Sequence, residues 1–203
     1  MLKIVTCFWE PNVHSVPSSR CYSPMWVDRL YRGFKRNLTV EHKFIVLTDK
    51  EYQFTPGVEQ ELLSTDEPTW HSMIEPFRIE GPLIVAGLDT IIRDKIDHMA
   101  RWCETADRIA LPKSPGKPYA CNAIVLVPKG QTGIYERWRG ENDMEWLRLQ
   151  PHVFIDSLWP EQVVSYKQYV RPRGVRQSRI IYWHGSPKMH ELLDKQWVRE
   201  SWR

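Results

Sequence analysis

Five short apolar runs constrain this chain more than any other feature: LKIVTCF (Leu2–Phe8), FIVLT (Phe44–Thr48), LIVAGL (Leu83–Leu88), AIVLV (Ala123–Val127) and RIIYW (Arg179–Trp183). Each is short, rich in β-branched residues and bounded by turn formers, which predicts buried strands rather than helices. The runs are continuous, not alternating, so both faces of each strand must be covered, as in a mostly parallel central sheet flanked by helices. Between them, SPMWVDRLYRGFKRNL places Ser23 at an N-cap and Pro24 at the first helical position. Val27, Tyr31, Phe34 and Leu38 then form one apolar stripe. LWPEQVVSYKQYV predicts a second helix, with Trp159, Val163, Tyr166 and Val170 on one face, and LPKSPGKP (Leu111–Pro118) predicts a loop. The alternation of strand and helix is that of an α/β fold. With 203 residues and no internal repeat, a single domain over 1–203 is expected.

Composition excludes more than it selects. A net charge of +3 comes from basic residues mixed among acidic ones, apart from a modest cluster of Arg171, Arg173, Arg176 and Arg179, so charge does not argue for nucleic-acid binding. Four widely spaced cysteines without a C-x-x-C pair exclude a zinc knuckle or dithiol redox motif. The N-terminal run is too short for a signal peptide, and no segment approaches the ~20 apolar residues of a membrane helix. The expectation is a reduced, cytoplasmic protein with no membrane span.

In open α/β sheets, ligands bind at the carboxyl ends of strands. The residues there are Thr6, Cys7 and Phe8 after the first run, Asp49 after the second, Gly87 and Asp89 after the third, and His184, Gly185 and Lys188 after the last. A carboxylate, an imidazole, a glycine and a lysine suit a metal-bound phosphate ligand. Taken singly, Asp89 is as well explained as a turn former accepting backbone N–H bonds, and His184 as a structural imidazole. No Walker-type or G-x-G-x-x-G motif exists, which disfavours the usual kinases and nicotinamide enzymes.

Taken in order, VTCFW, YSPMWVDRLYRGFKRNLTVEHKFIVLTD, MIEPFR, GPLIVAGLDTII, CNAIVLV, WPEQVVSYK and IIYWHGSPKMHEL resemble the GT-A glycosyltransferases, nearest to the glycogenin-like type and its small bacterial and phage relatives. The resemblance spans nearly the whole chain. It implies a GT-A, Rossmann-like fold and transfer of a sugar from a nucleotide-sugar donor, UDP-linked by expectation, with retention of configuration. The family's Asp-x-Asp motif falls on Gly87-Leu88-Asp89, so only its second aspartate is present. Asp89 and His184 are implied as ligands of Mn²⁺ (or Mg²⁺), and Gly185 and Lys188 as diphosphate contacts. Thr6, Cys7 and Phe8 are implied at the nucleoside, Gly87 and Asn122 near the donor. Glu161-Gln162 stands where the family has an Asp-Gln pair near the reacting centre, with Gln162 positioning the sugar. Met73 replaces a phosphate-binding lysine. The acceptor is open among a glycan, a protein and a modified nucleic acid, the arginine cluster being the only support for the last. Gly87 and Met73 also leave open a catalytically inactive nucleotide-sugar-binding module of the same fold.

Overall fold

Leu2–Phe8 forms β1, and its Cα register runs parallel to both neighbours: β2 (His42–Thr48) on one side and β4 (Leu83–Ala86) on the other. The computed structural model describes residues 1–16 and 18–203. Among these described residues, β3 (Val58–Leu62), β6 (Ile109–Leu111), β7 (Ile124–Val127) and β8 (His152–Phe154) complete a seven-stranded sheet of order β3-β2-β1-β4-β7-β6-β8. The β3-β2-β1-β4 half is wholly parallel. β7 then runs antiparallel to both β4 and β6, so the sheet is mixed but mostly parallel.

Alternation along the strands divides the core into two layers. Leu2, Ile4, Phe8, Phe44, Val46, Ile84 and Ala86 face one side, where α1 (Pro24–Asn37) and α2 (Asp97–Thr105) cover them. Val5, Cys7, Ile45, Leu47, Leu83 and Val85 face the other, under the 3-10 segment Trp70–Arg78, α3 (Gly133–Glu136) and α4 (Asp143–Leu149). Such two-sided burial is why the strands read as unbroken apolar runs. The expected stripe of α1 is also present: Val27, Tyr31, Phe34 and Leu38 are all buried, with Pro24 opening the helix. The arrangement is α/β and compatible with a Rossmann-like fold. No helix among the described residues is long and apolar enough to cross a membrane.

Two expectations change. The run Arg179–Trp183 does form a strand, β10 (Ile180–Tyr182), but it lies outside the central sheet. It pairs antiparallel with β5 (Thr90–Ile92) and parallel with β9 (Val163–Ser165) in a separate three-stranded sheet. β9 also replaces the middle of the second expected helix, leaving a π-helical turn at Tyr166–Val170. The reason is local and tertiary together. Pro160 cannot continue a helix, Glu161 takes a left-handed φ of 62°, and the β-branched Val163 and Val164 find a buried partner strand.

Candidate functional site

β4 ends at Ala86, and the chain turns through Gly87-Leu88-Asp89 before entering β5. That turn is where the two sheets meet. In the β5–β10 register Tyr182 lies opposite Thr90, and the Trp183 amide donates to the Asp89 carbonyl at 2.9 Å. The pairing therefore carries the His184-to-Lys188 segment back to the carboxyl end of the central sheet, as the strand-end rule requires. A cleft of about 650 Å³ opens there. Cys7, Phe8, Gly87, Asp89, Asn122, His184 and Lys188 all line it.

One end of the cleft is built from opposed charges. The Lys188 ammonium contacts the Asp89 carboxylate and donates to the Tyr22 hydroxyl at 3.1 Å. Both charged side chains are only partly exposed, at 12% for Lys188 and 20% for Asp89, enough for a ligand to reach them. Burial, with Asp89 beside it, pushes the Tyr22 phenol up, so Tyr22 stays protonated as a neutral partner. His184 Nδ1 lies 3.4 Å from the Ser165 hydroxyl at the end of β9. Burial first, and the nearby Lys167 second, hold its pKa below the usual imidazole value, so the ring is neutral and able to ligate.

Gly87 leaves little room for a side chain. A Cβ there would lie 3.2 Å from Asp89 Oδ1 and 3.6 Å from the Ala123 carbonyl, which the Gly87 amide already uses at 3.1 Å. A side chain at 87 would crowd the one carboxylate the turn presents.

The other end holds a carboxyl group that sequence reasoning missed. Asp143, the first residue of α4, is 6% exposed and lines the cleft. The Asn122 amide donates to it. Burial raises its pKa, opposed by the Met144 amide, His71 and Asn122, in that order. Asn142 caps the helix by accepting the Glu145 amide at 3.1 Å. In sequence, an acid at this position is indistinguishable from one that complements the helix macrodipole. Trp9, Tyr22, Trp70, Lys117 and Tyr119 were likewise not singled out, yet all line the cleft. The buried indole N–H groups of Trp9 and Trp183, both on cleft-lining residues, have no hydrogen-bond partner among the described residues.

Four expected residues lie elsewhere. The Thr6 side chain is fully buried inside β1. Gly185 takes a φ of 63° in the turn beside the cleft, with its Cβ position 3.1 Å from Lys167 Nζ. Glu161 and Gln162 precede β9, at its amino end, whereas the cleft is served by the carboxyl end of the parallel β10. Gln162 Oε1 engages a His98 ring nitrogen at 2.8 Å, and Glu161 accepts from Gln177 at 3.3 Å. This pair is therefore not brought to Asp89. Met73 lines the cleft and packs on the lower core layer. None of Arg171, Arg173, Arg176 and Arg179 lines it; Arg179 pairs with Asp94 and Arg173 lies over the Tyr169 ring.

Among the described residues, no group of three or more His, Cys, Asp and Glu side chains gathers as a metal cage. Asp89 and His184 both line the cleft. No protein-family model matches this chain, and no curated protein matches it.

Proposed function

We propose that this chain is a GT-A-type glycosyltransferase, moving a sugar from a nucleoside-diphosphate donor to an acceptor hydroxyl. The observation that carries the reading is one cleft, at the carboxyl ends of β1 and β4, lined by both an Asp89–Lys188 pair and an Asn122 contact to the buried Asp143. The first pair suits a diphosphate. Lys188 is a point charge that can pass from Asp89 to phosphate oxygens, stabilising the charge that builds on the leaving group. Asp89 and His184 are the side chains that would hold Mn²⁺ (or Mg²⁺), which when bound adds Lewis-acid stabilisation to the same oxygens.

The second pair suits the transfer itself. As the acceptor oxygen bonds to the sugar C1, the C1–O bond to the diphosphate breaks and its electrons leave with the phosphate. The hydroxyl proton passes to the Asp143 carboxylate, whose raised pKa makes it the better base. Retention, as the family resemblance implies, would instead have the departing phosphate oxygen take that proton, leaving Asp143 to hold the sugar. The anomeric configuration of the product decides between these routes. Glu161 and Gln162 have no part in either.

The test is a thermal-shift series with UDP and other nucleoside diphosphates, with and without Mn²⁺, followed by nucleotide release from a panel of nucleotide sugars. A rise in Tm with at least one nucleoside diphosphate is expected. No shift with any of them sinks the reading. Binding without release or transfer from every donor would favour the inactive module.

A further inference from the structure

Ten tryptophans, eight tyrosines and six phenylalanines are present, and most are buried or half-buried. Among the described residues only Trp70 and Tyr119 are exposed, at 36% and 42%, and both line the same cleft. Exposed rings rimming a cleft that also carries Asp89, Asn122, Asp143 and Lys188 are poorly explained by core packing and well explained by a ligand. Both rings are also held in place. Trp70 meets the edge of the buried Trp9 at 5.7 Å between ring centroids. Tyr119 sits on a tight loop closed by the Ser114 amide donating to the Tyr119 carbonyl at 2.8 Å and by the Lys113–Ala120 bridge. The Arg148 guanidinium lies over its ring at 4.1 Å, anchored by an Nε–H bond to the Ala120 carbonyl at 2.8 Å.

Their placement connects them to the Asp143 end. Arg148, which braces Tyr119, is on the same short helix as Asp143, and Tyr119 is three residues before Asn122. Trp70 opens the 3-10 segment that packs on that helix, next to His71, whose charge is felt at Asp143. Two rigid, amphipathic rings beside a carboxyl and a carboxamide match a pyranose. The C–H face of a sugar carries partial positive charge and lies on the electron-rich face of a ring, while its hydroxyls turn to polar groups.

We infer that Trp70 and Tyr119 form the acceptor platform and that the acceptor is a carbohydrate, stacked by its pyranose ring with a hydroxyl directed to Asn122–Asp143. This rests on the glycosyltransferase reading for the word acceptor, but not for the binding of a sugar ring. A nucleic-acid acceptor is the weaker fit, because the arginine cluster that would hold its backbone does not line the cleft.

Saturation-transfer NMR on the full chain tests this, using malto-, cello- and chito-oligosaccharides and a single-stranded DNA oligonucleotide as probes. At least one oligosaccharide should show ring-proton saturation, weakened roughly tenfold in affinity by Trp70→Ala or Tyr119→Ala and kept by Tyr119→Phe. The UDP-induced rise in Tm should persist in all three variants, which also confirms that they fold. Loss of that rise in both alanine variants, with fold intact by circular dichroism, would assign the rings to the donor and overturn the inference. So would an oligonucleotide signal that depends on the two rings, or no oligosaccharide signal at all. Ring-dependent oligosaccharide binding without any nucleotide effect would uphold the platform and remove the donor reading instead.

Discussion

Two carboxylates that line one cleft are accommodated in opposite ways. At Asp89 an ammonium group compensates the charge, and both partners remain partly open to solvent. At Asp143 the partner is a neutral carboxamide, the side chain is buried, and burial drives the group toward its protonated form. A compensated, accessible pair can trade one partner for an incoming anion at little cost. A buried acid held mainly by neutral donors is a poor anion site, but it can exchange a proton. Under the proposed reading the first carboxylate handles charge, and the second either takes the acceptor proton or holds the sugar.

The strongest break of that contrast is Asp143→Asn. Turnover with the productive donor should fall by about 10²–10⁴ on the route in which Asp143 takes the proton, and by less on the retaining route, while the UDP-induced rise in Tm survives. The same variant should be more stable than the parent at neutral pH. The sign follows from linkage: a folded pKa above the ordinary carboxyl value of 3.8 means that stability is present at low pH and lost as pH rises through the folded pKa. The Tm difference between variant and parent should therefore widen with pH and then level off. Equal Tm values at every pH would show that Asp143 is not desolvated as described.

Lys188→Ala should act at the other end. Losing a charge-assisted contact to the diphosphate is expected to weaken UDP about 10- to 100-fold by calorimetry, and unchanged affinity would remove Lys188 from the donor site. Gly87→Asp, which restores the full Asp-x-Asp pattern, should hurt rather than help. The new Cβ would lie 3.2 Å from Asp89 Oδ1, so that carboxylate must shift by a few tenths of an ångström, and weaker UDP binding by calorimetry is the expected result. The smallest effect is expected for Glu161→Gln and Gln162→Ala. Transfer rates should stay within about twofold, since surface-proximal changes away from a site are nearly neutral; a large loss would return the pair to the mechanism.

These contrasts also mark what the chain discloses before folding. The strand runs were legible because burial on both faces imposes unbroken apolar sequence, and β1 has the limits its composition suggests. α1 was legible because its stripe, proline and N-cap position agree. The Asp89 end followed from the strand-end rule, with Cys7, Phe8, His184 and Lys188 meeting it in one cleft. The Asp143 end did not, because an acid at a helix start has an ordinary explanation in the helix dipole. Glu161-Gln162 lies apart from the cleft for a related reason. A short motif has no direction, and only the parallel pairing of β9 with β10 puts it at the wrong end of the small sheet. The second expected helix failed where a three-residue strand pairing overrode helical periodicity.

The Asp89–Lys188 contact joins residues 99 positions apart. An anion or cation that engages both therefore behaves as a reversible cross-link, fastening the carboxyl-terminal segment to the central sheet and removing loop entropy from partly opened states. Ligand occupancy and the docking of that segment become one equilibrium. A bound donor should shield the Gly185–Pro187 turn from proteolysis, and trimming the chain after Lys188 should cost affinity even though no residue removed lines the cleft.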